Sequence, residues 1–380
     1  MRLILSIEPI RYPLTGIGRY TYELAMQLRD SGQFESLRFF SGFRFTDELP
    51  QPAEQTDSRY RLKRLVQKSG LLSNVYGILM EHVRRRTLRD CNDSLYHGPN
   101  FYLPAFPGRK VATFHDLSPF TWAHCHAPER LRFMRKECLK AIKRADALIA
   151  DSEYTRREIA DYFSWPLDRI HSVPLACGPE FRPRSTYELQ GLARYGLKEK
   201  SYTLFVGTIE PRKNILGLLD AYARLPLPLR QSRPLVLTGY RGWRSEAIHV
   251  RLEAARREGW ANYLGFVPTG DLPLLYAGAA LFAFPSLYEG FGLPVLEAMA
   301  SGIPVVCSNS SSLPEVAGEA ALMCDPQDVD GLAKLLSRGL LDEVWRAVAS
   351  EQGLLHAARF SWARCAAETV EVYRRVLGSS

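Results

Sequence analysis

What most constrains this chain is a recurrence of short, mainly apolar runs, each closed by a polar or glycine-bearing turn and followed by a helical pattern. Leu3–Ile7, Val111–Phe114 and Ala147–Ala150 fall in the first half, and Tyr202–Val206, Leu235–Leu237, Tyr263–Val267, Leu281–Phe284 and Val305–Val306 in the second. Such runs are too short for helices, and a strand buried on both faces requires helices on either side of a parallel sheet. Amphipathic stretches between the runs supply those helices. Arg19–Leu28 carries Tyr20, Leu24 and Leu28 on one side, and Asp151-Ser152 stands where an N-cap is expected. The fold class is therefore α/β. Between Val173 and Thr186, Pro174, Pro179 and Pro183 break the periodicity. A linker there divides the chain into residues 1–178 and 179–360, with a last helix from Ser361 free to pack back on the first unit. Two doubly wound domains would face each other across a crevice at their strand C-termini, where such sheets bind ligands.

Composition narrows the class. With 46% apolar and 24% charged residues over 380 positions, the chain is neither disordered nor fibrous. The longest apolar stretches, such as Ala277–Pro285, are about half the roughly 20 residues a membrane span needs. The apolar block before Glu8 is too short for a signal peptide, so a cytosolic protein is expected. Seven cysteines, an odd number without a C-x-x-C pair, suit reduced thiols. His124-Cys125-His126 is the one cluster of metal-ligand types, but adjacent residues do not easily turn onto one ion, and the segment reads as a surface or cleft-lining loop.

The net charge of +8 is unevenly placed. From Tyr60 to Arg144 there are 17 Lys/Arg against 6 Asp/Glu, a local balance of +11. Within that stretch Arg130–Arg144 reads as an amphipathic helix with Leu131, Met134, Cys138 and Ile142 in one stripe and cations elsewhere. Leu62 and Val66, among Arg61, Lys63, Arg64 and Lys68, repeat the pattern more weakly. A solvated face, attraction to anionic headgroups or a phosphate-bearing partner, and nucleic acid all fit such a charge excess. Nucleic acid would need stacking aromatics among the cations, and Tyr60, Tyr76 and Phe133 are too sparse.

Two segments carry the chemistry. In the first, Leu281–Phe284 runs into Pro285-Ser286-Leu287-Tyr288-Glu289-Gly290-Phe291-Gly292, and Pro294 occupies the first turn of a helix closed by Gly302. Gly290 and Gly292 let backbone N–H groups approach a ligand, and with the helix N-terminus they make an anion site. Glu289 and Glu297 would then present carboxylates to one pocket, although either could be a simple helix-terminus acid. In the second, Gly207-Thr208-Ile209-Glu210-Pro211-Arg212-Lys213-Asn214 places two cations before a helix at Ile215–Ala223. Cations there oppose the helix dipole, so an anion between them is expected, and a diphosphate suits; a solvated pair is the bland alternative.

These segments, with the early Thr15-Gly16-Ile17-Gly18-Arg19-Tyr20 turn and Phe114-His115-Asp116, closely resemble the retaining glycosyltransferases of family 4, which have the GT-B fold. The resemblance runs from Leu3 to about Val376. Tyr96-His97-Gly98-Pro99-Asn100 and Ala150-Asp151-Ser152 bring it nearest to bacterial mannosyl- and rhamnosyltransferases of surface polysaccharide (lipopolysaccharide, O-antigen) assembly. It implies a nucleotide-sugar donor, with GDP-mannose or GDP-rhamnose ahead of a UDP- or dTDP-sugar. It also implies a lipid-linked saccharide acceptor, no cofactor or metal, and a peripheral position on the cytosolic face of the inner membrane. Lys213, helped by Arg212, would neutralise the diphosphate; Glu297 would hold the ribose diol and Glu289 the donor sugar. The amides of Gly290, Phe291, Gly292 and Leu293 would bind sugar and phosphate oxygens, Gly16 and Gly18 would close on the diphosphate, and His115 would lie under the anomeric centre. Where the family often carries Arg after the glycine of the second segment, this chain has Thr208, which shifts neutralisation onto Lys213. A non-catalytic nucleotide- or nucleic-acid-binding module is the alternative. A dinucleotide-dependent oxidoreductase fails because position 21 is Thr21, not the third glycine of the fingerprint.

Overall fold

The computed structural model describes residues 1–51 and 81–378. The weaker basic pattern at Arg61–Lys68, together with Tyr60 and Tyr76, lies outside them. The first sheet has seven strands in the order β3-β2-β1-β4-β5-β6-β7: β1 (Arg2–Ser6), β2 (Ser36–Phe40), β3 (Phe45–Thr46), β4 (Leu95–Gly98), β5 (Arg109–Phe114), β6 (Ala147–Ala150) and β7 (Ile170–Ser172). All pairings are parallel except β2 with β3. The second sheet, wholly parallel, runs β10-β9-β8-β11-β12-β13, with β8 at Thr203–Val206, β9 at Leu235–Thr238, β10 at Ala261–Tyr263, β11 at Leu281–Phe284, β12 at Val305–Ser308 and β13 at Ala321–Cys324. In both, chain order reverses direction at the central strand, the topological switch that leaves a crevice at the strand C-termini.

The buried four-residue runs become the central strands: β6, β8, β9 and β11 are buried at every position. The strands not read from the sequence differ from these in one respect or the other: β2 and β7 are partly exposed, β13 is an apolar run but only half-buried, and β4 is buried at every position but reads Leu-Tyr-His-Gly. The first glycines also behave differently from a turn. Gly16 opens the helix Gly16–Asp30 and Gly18 is buried within its first turn, Thr15 being the extended residue before it.

The last helix, Trp362–Leu377, is capped by Ser361, whose Oγ accepts the Arg364 N–H, and it lies on the first sheet. A buried polar chain fastens it there. The Tyr373 hydroxyl meets His97 Nδ1 at 2.6 Å, His97 Nε2 meets Thr113 Oγ1 at 2.9 Å, and Thr113 Oγ1 meets the Tyr20 hydroxyl at 2.9 Å. Burial pushes His97 down to about 3, so it is neutral and can donate from one nitrogen and accept at the other.

The basic helix spans Pro128–Arg144. Its proposed stripe proves to be the inner face: Cys138 is buried and Leu131, Met134 and Ile142 are half-buried. The exposed apolar side chains are instead Phe133 and Leu139, at 57% and 46% exposure.

Candidate active site

Lys213 and Arg212 end a tight turn, Pro211–Lys213, after which Asn214 takes left-handed φ and the Ile215–Ala223 helix begins. Lys213 is only 8% exposed and Glu289 only 7%. Lys213 Nζ donates to Glu289 Oε1 at 2.6 Å, and Arg212 reaches the other carboxylate oxygen at 3.2 Å while bonding the Tyr288 carbonyl at 2.7 Å and Glu210 at 2.9 Å. The anion between the two cations is Glu289, where the sequence suggested a diphosphate. A pair of buried cations requires a resident counter-charge, which spacing along the chain could not reveal. Burial raises the Glu289 carboxyl, but Lys213 and Arg212 more than offset this and hold it ionised below the usual range. Burial also draws the Lys213 ammonium down, against the pull of Glu289, while Arg212 stays charged. Thr208, with no charge of its own, leaves these two cations as the positive groups of the segment.

The loop after β11 is pressed against the first domain. A Cβ on Gly290 would lie 1.7 Å from the His115 carbonyl oxygen, so only glycine permits the approach. The Gly290 carbonyl accepts from Ser152 Oγ at 2.7 Å and Thr155 Oγ1 at 3.0 Å. Tyr288 inserts alongside: its hydroxyl accepts from the Leu117 N–H at 2.9 Å and donates to Glu158 at 2.5 Å. Glu315 accepts the amides of Glu153 and Tyr154 at 2.8 and 2.7 Å. Gly292, at φ +121°, leads into the Leu293–Ala300 helix, and Phe291 is buried. Among the described residues the N–H groups of Gly290, Phe291, Gly292 and Leu293 have no protein acceptor, leaving four donors at a helix N-terminus.

Glu297 sits one turn inside that helix and accepts from the Tyr276 hydroxyl at 2.8 Å. Burial raises its carboxyl to about 7, opposed by Tyr276 and by the charge of Arg19. It therefore takes up a proton near neutral pH, where an ordinary glutamate stays ionised. Arg19, the cation after the glycine pair, approaches from the first helix and is paired with Glu180 at 3.1 Å. Gly16 meets Leu293, its Cβ position 3.8 Å from Leu293 Cδ1, while Gly18 has the Pro9 carbonyl at 3.0 Å. The structure thus brings Gly16 to the loop directly and uses Gly18 to pack the helix start. Arg19 went unassigned in the sequence because its charge meets Glu297 only across the crevice.

His115 follows β5. Its Nδ1 meets Asp151 Oδ2 at 2.8 Å and its Nε2 meets the Pro99 carbonyl at 3.0 Å. Burial lowers this imidazole, but Asp151 and the Pro99 carbonyl raise it beyond its usual value, favouring the form with a proton on each nitrogen. Both nitrogens are occupied by protein, so a bond to sugar oxygens would require exchanging the Pro99 contact. Asp151, read from the sequence only as part of a cap region, is 2% exposed and is the counter-charge of this histidine. Its second oxygen is buried without a hydrogen-bond partner.

The His124-Cys125-His126 segment lines the crevice. The Cys125 thiol is buried beside the backbone of Arg212, and the neighbouring Trp122 stacks on Tyr288 at 6.0 Å. No group of three metal-ligating side chains occurs among the described residues. At the C-terminal ends of β9 and β10, Tyr240 and Phe266 stack at 4.4 Å and 17° while each remains nearly half exposed. That pair is distant in sequence and carries no local motif.

Two Rossmann-like parallel sheets meeting at their strand C-termini, with paired cations, a glycine loop and a helix N-terminus in the crevice, define the GT-B class. Residues 14–180 match the profile described as Glycosyltransferase Family 4, and residues 193–355 match Glycosyl transferases group 1. The chain is 46% identical to O-antigen chain mannosyltransferase B of Escherichia coli, over 98% of this chain and 100% of that protein. It is 36% identical to the E. coli serotype-specific mannosyltransferase WbdA over 72% of this chain and 34% of that protein. Solved structures share the fold. WaaG, a glycosyltransferase involved in lipopolysaccharide biosynthesis, superposes with a TM-score of 0.71 at 16% identity, covering 97% and 99% of the two chains. Anabaena HepE with UDP and glucose gives 0.67 at 16%, covering 98% and 99%. The chain belongs to this glycosyltransferase family.

Proposed function

We propose that the protein is a retaining mannosyltransferase of O-antigen assembly, transferring mannose from GDP-mannose to a lipid-linked saccharide, without a metal or other cofactor. The observation that carries this reading is end-to-end identity of 46% with an O-antigen chain mannosyltransferase. That relative favours mannose over rhamnose, the other sugar the sequence suggested. In this reading the donor diphosphate competes with Glu289 for Lys213, so the resident carboxylate keeps the ammonium charged and in place until the leaving group arrives. The four free amides of Gly290–Leu293 bind phosphate and sugar oxygens. Glu289, relieved of part of its ion pair, accepts from sugar hydroxyls, and Glu297 accepts from the ribose diol. Tyr240 and Phe266 offer a stacking surface for a purine at the edge of the crevice.

Donor choice is tested by thermal shift with GDP-mannose, GDP-rhamnose, UDP-glucose, dTDP-rhamnose and ADP-glucose, since a ligand bound only by the native state raises the midpoint. Stabilisation by the GDP-sugars and not the others is expected, with GDP-mannose the stronger of the two; a response confined to UDP- or dTDP-sugars would replace the donor assignment. Transfer should persist in excess EDTA, and a strict need for Mg²⁺ or Mn²⁺ would refute metal independence.

No described helix is long and apolar enough to cross a membrane. A lipid-linked acceptor therefore calls for a docking face, which we assign to the basic helix. Arg132, Lys136, Lys143 and the exposed Phe133 and Leu139 suit anionic headgroups, each cation adding about 1 kcal/mol. Arg135 and Lys140 contribute less, being tied to the Pro119 carbonyl and Glu137. Wild type should sediment with anionic vesicles at low salt, and Arg132, Lys136 and Lys143 changed together to Gln should not. Sedimentation equal for both would leave the charge as a solvated face.

A further inference from the structure

The helix Glu153–Phe163 presents Tyr154, Glu158 and Tyr162 in one row, four residues apart, with Arg157 and Asp161 in the adjoining row. These side chains, with Glu153 and Glu315, line an open groove of about 800 Å³. Its groups differ in what they have left to offer. Glu153 is paired with Arg156 and Arg157, each at 3.0 Å, and Glu315 is occupied by the two amides at the helix start. The Asp161 carboxylate and the hydroxyls of Tyr154 and Tyr162 make no hydrogen bond among the described residues. Both tyrosine rings are exposed, 36% and 50%, yet held in orientation: Tyr154 stands edge-on to Tyr288 at 6.2 Å, and Tyr162 packs against Phe120 at 5.1 Å and Phe163 at 4.9 Å.

This chemistry selects its ligand. Glu153 is matched by Arg156 and Arg157 and burial raises the Glu158 carboxyl to about 7, so Asp161 and Glu315 set the sign of the groove and disfavour phosphates, nucleotides and anionic lipid. No three-ligand metal cluster is present among the described residues. Fixed, exposed aromatic faces suit flat C–H surfaces, and acceptor-only carboxylates suit a neutral molecule with many hydroxyl donors. Pyranose sugars combine both properties. The two tyrosines are about 12 Å apart along the helix, room for more than one ring. One buried residue links the groove to the candidate site: Tyr288, edge-on to Tyr154 and donating to Glu158, is the chain neighbour of Glu289.

We propose that this groove holds the sugar residues of the acceptor that lie behind the one receiving the transferred unit. The assignment rests on the reading of the protein as a glycosyltransferase with a saccharide acceptor. Its walls come from both domains, since Glu315 belongs to the second sheet's unit, so the groove is complete only when the domains are together.

The test uses linear mannotetraose as the probe, with Tyr162→Ala and the exposed-site substitution Asp161→Lys. Saturation-transfer NMR on wild type should show mannotetraose contacts that both variants reduce. In transfer assays with saccharide primers of increasing length, KM for the longer primers should rise about tenfold in the variants, while KM for a monosaccharide primer and the thermal shift by GDP stay at wild-type values. Variants that keep mannotetraose contacts and long-primer KM within twofold of wild type would overturn the groove assignment. So would a KM increase independent of primer length, which would mark general damage to the helix. Absence of transfer from every nucleotide sugar by wild type is a different failure, that of the glycosyltransferase reading.

Discussion

Replacing Lys213 by methionine keeps an aliphatic stem of similar length and deletes the ammonium, whose nitrogen lies 5.1 Å from the Phe284 ring centroid. Removing one member of a buried ion pair ordinarily costs about 3–5 kcal/mol, because the partner is left charged in a dry site. Here Glu289 keeps Arg212 at 3.2 Å, so about 2 kcal/mol is expected for Lys213→Met. Glu289→Gln is worse, about 3 kcal/mol, since among the described residues Lys213 loses the one carboxylate within ion-pair distance while Arg212 retains Glu210. The double variant removes the charge pair together and should cost about 2 kcal/mol, giving a coupling of about 3 kcal/mol. Urea unfolding followed by tryptophan fluorescence reads this, because Trp260, 4% exposed and stacked on Tyr222 at 6.0 Å, reports the second sheet. Activity separates from stability. Lys213→Met should lose transfer by a factor of hundreds, about 3–4 kcal/mol of leaving-group stabilisation, and the double variant should not recover it. Single-variant costs that simply add, within about 0.5 kcal/mol, would show that the pair is not coupled and would refute the reasoning.

Three further outcomes are expected. The folded-state value of Glu297, about 7, lies above its ordinary 4.5, so the folded protein holds that proton more tightly and the associated stability is full below about 4.5 and lost as pH rises through about 7. Glu297→Gln should therefore stabilise the free protein relative to wild type at pH 8 but not at pH 4.5, while weakening donor binding; a stability difference independent of pH would contradict the burial argument. Asp151→Asn removes the charge that holds His115 up against burial, so NMR should show its imidazole titrating below 6.5, and an unmoved titration would exclude Asp151 as its counter-charge. Gly290→Ala places a methyl on the His115 carbonyl, so small-angle scattering should show the domains parted in a folded, inactive protein, whereas wild-type scattering and activity would mean the approach is dispensable.

The second domain's side of the crevice was legible because its parts are local. Strand β11, the loop glycines, Pro294 and Glu297 lie in one stretch of chain, and each obeys a short-range rule for burial, positive φ or a helix start. Arg212 and Lys213 were visible for the same reason, as cations set against a helix dipole. What satisfied them was not visible: Glu289 is 76 residues away from Lys213. The protonation of His115 likewise depends on Asp151 and Pro99, which arrive from β6 and β4, and the proton uptake of Glu297 near neutral pH depends on its burial beside Tyr276.

Two parallel sheets with buried central strands, the glycine loop and the residue types of the crevice could be read from the chain alone, because a strand's burial and a turn's backbone are written in neighbouring residues. The sequence also placed Gly16 and Gly18 in a turn, and it left open whether the Leu131, Met134, Cys138 and Ile142 stripe packs inward, since which side of an amphipathic helix meets the sheet is a matter of packing. Which charges face each other emerged from the folded molecule: Lys213 with Glu289, His115 with Asp151, and Arg19 toward Glu297. The first two pairings are set within each sheet, where β8 lies beside β11 and β5 beside β6, and the third by domain apposition, through Gly290 against His115 and Tyr288 against Glu158; electrostatic energy depends on distance in space and on burial, neither of which local sequence patterns supply.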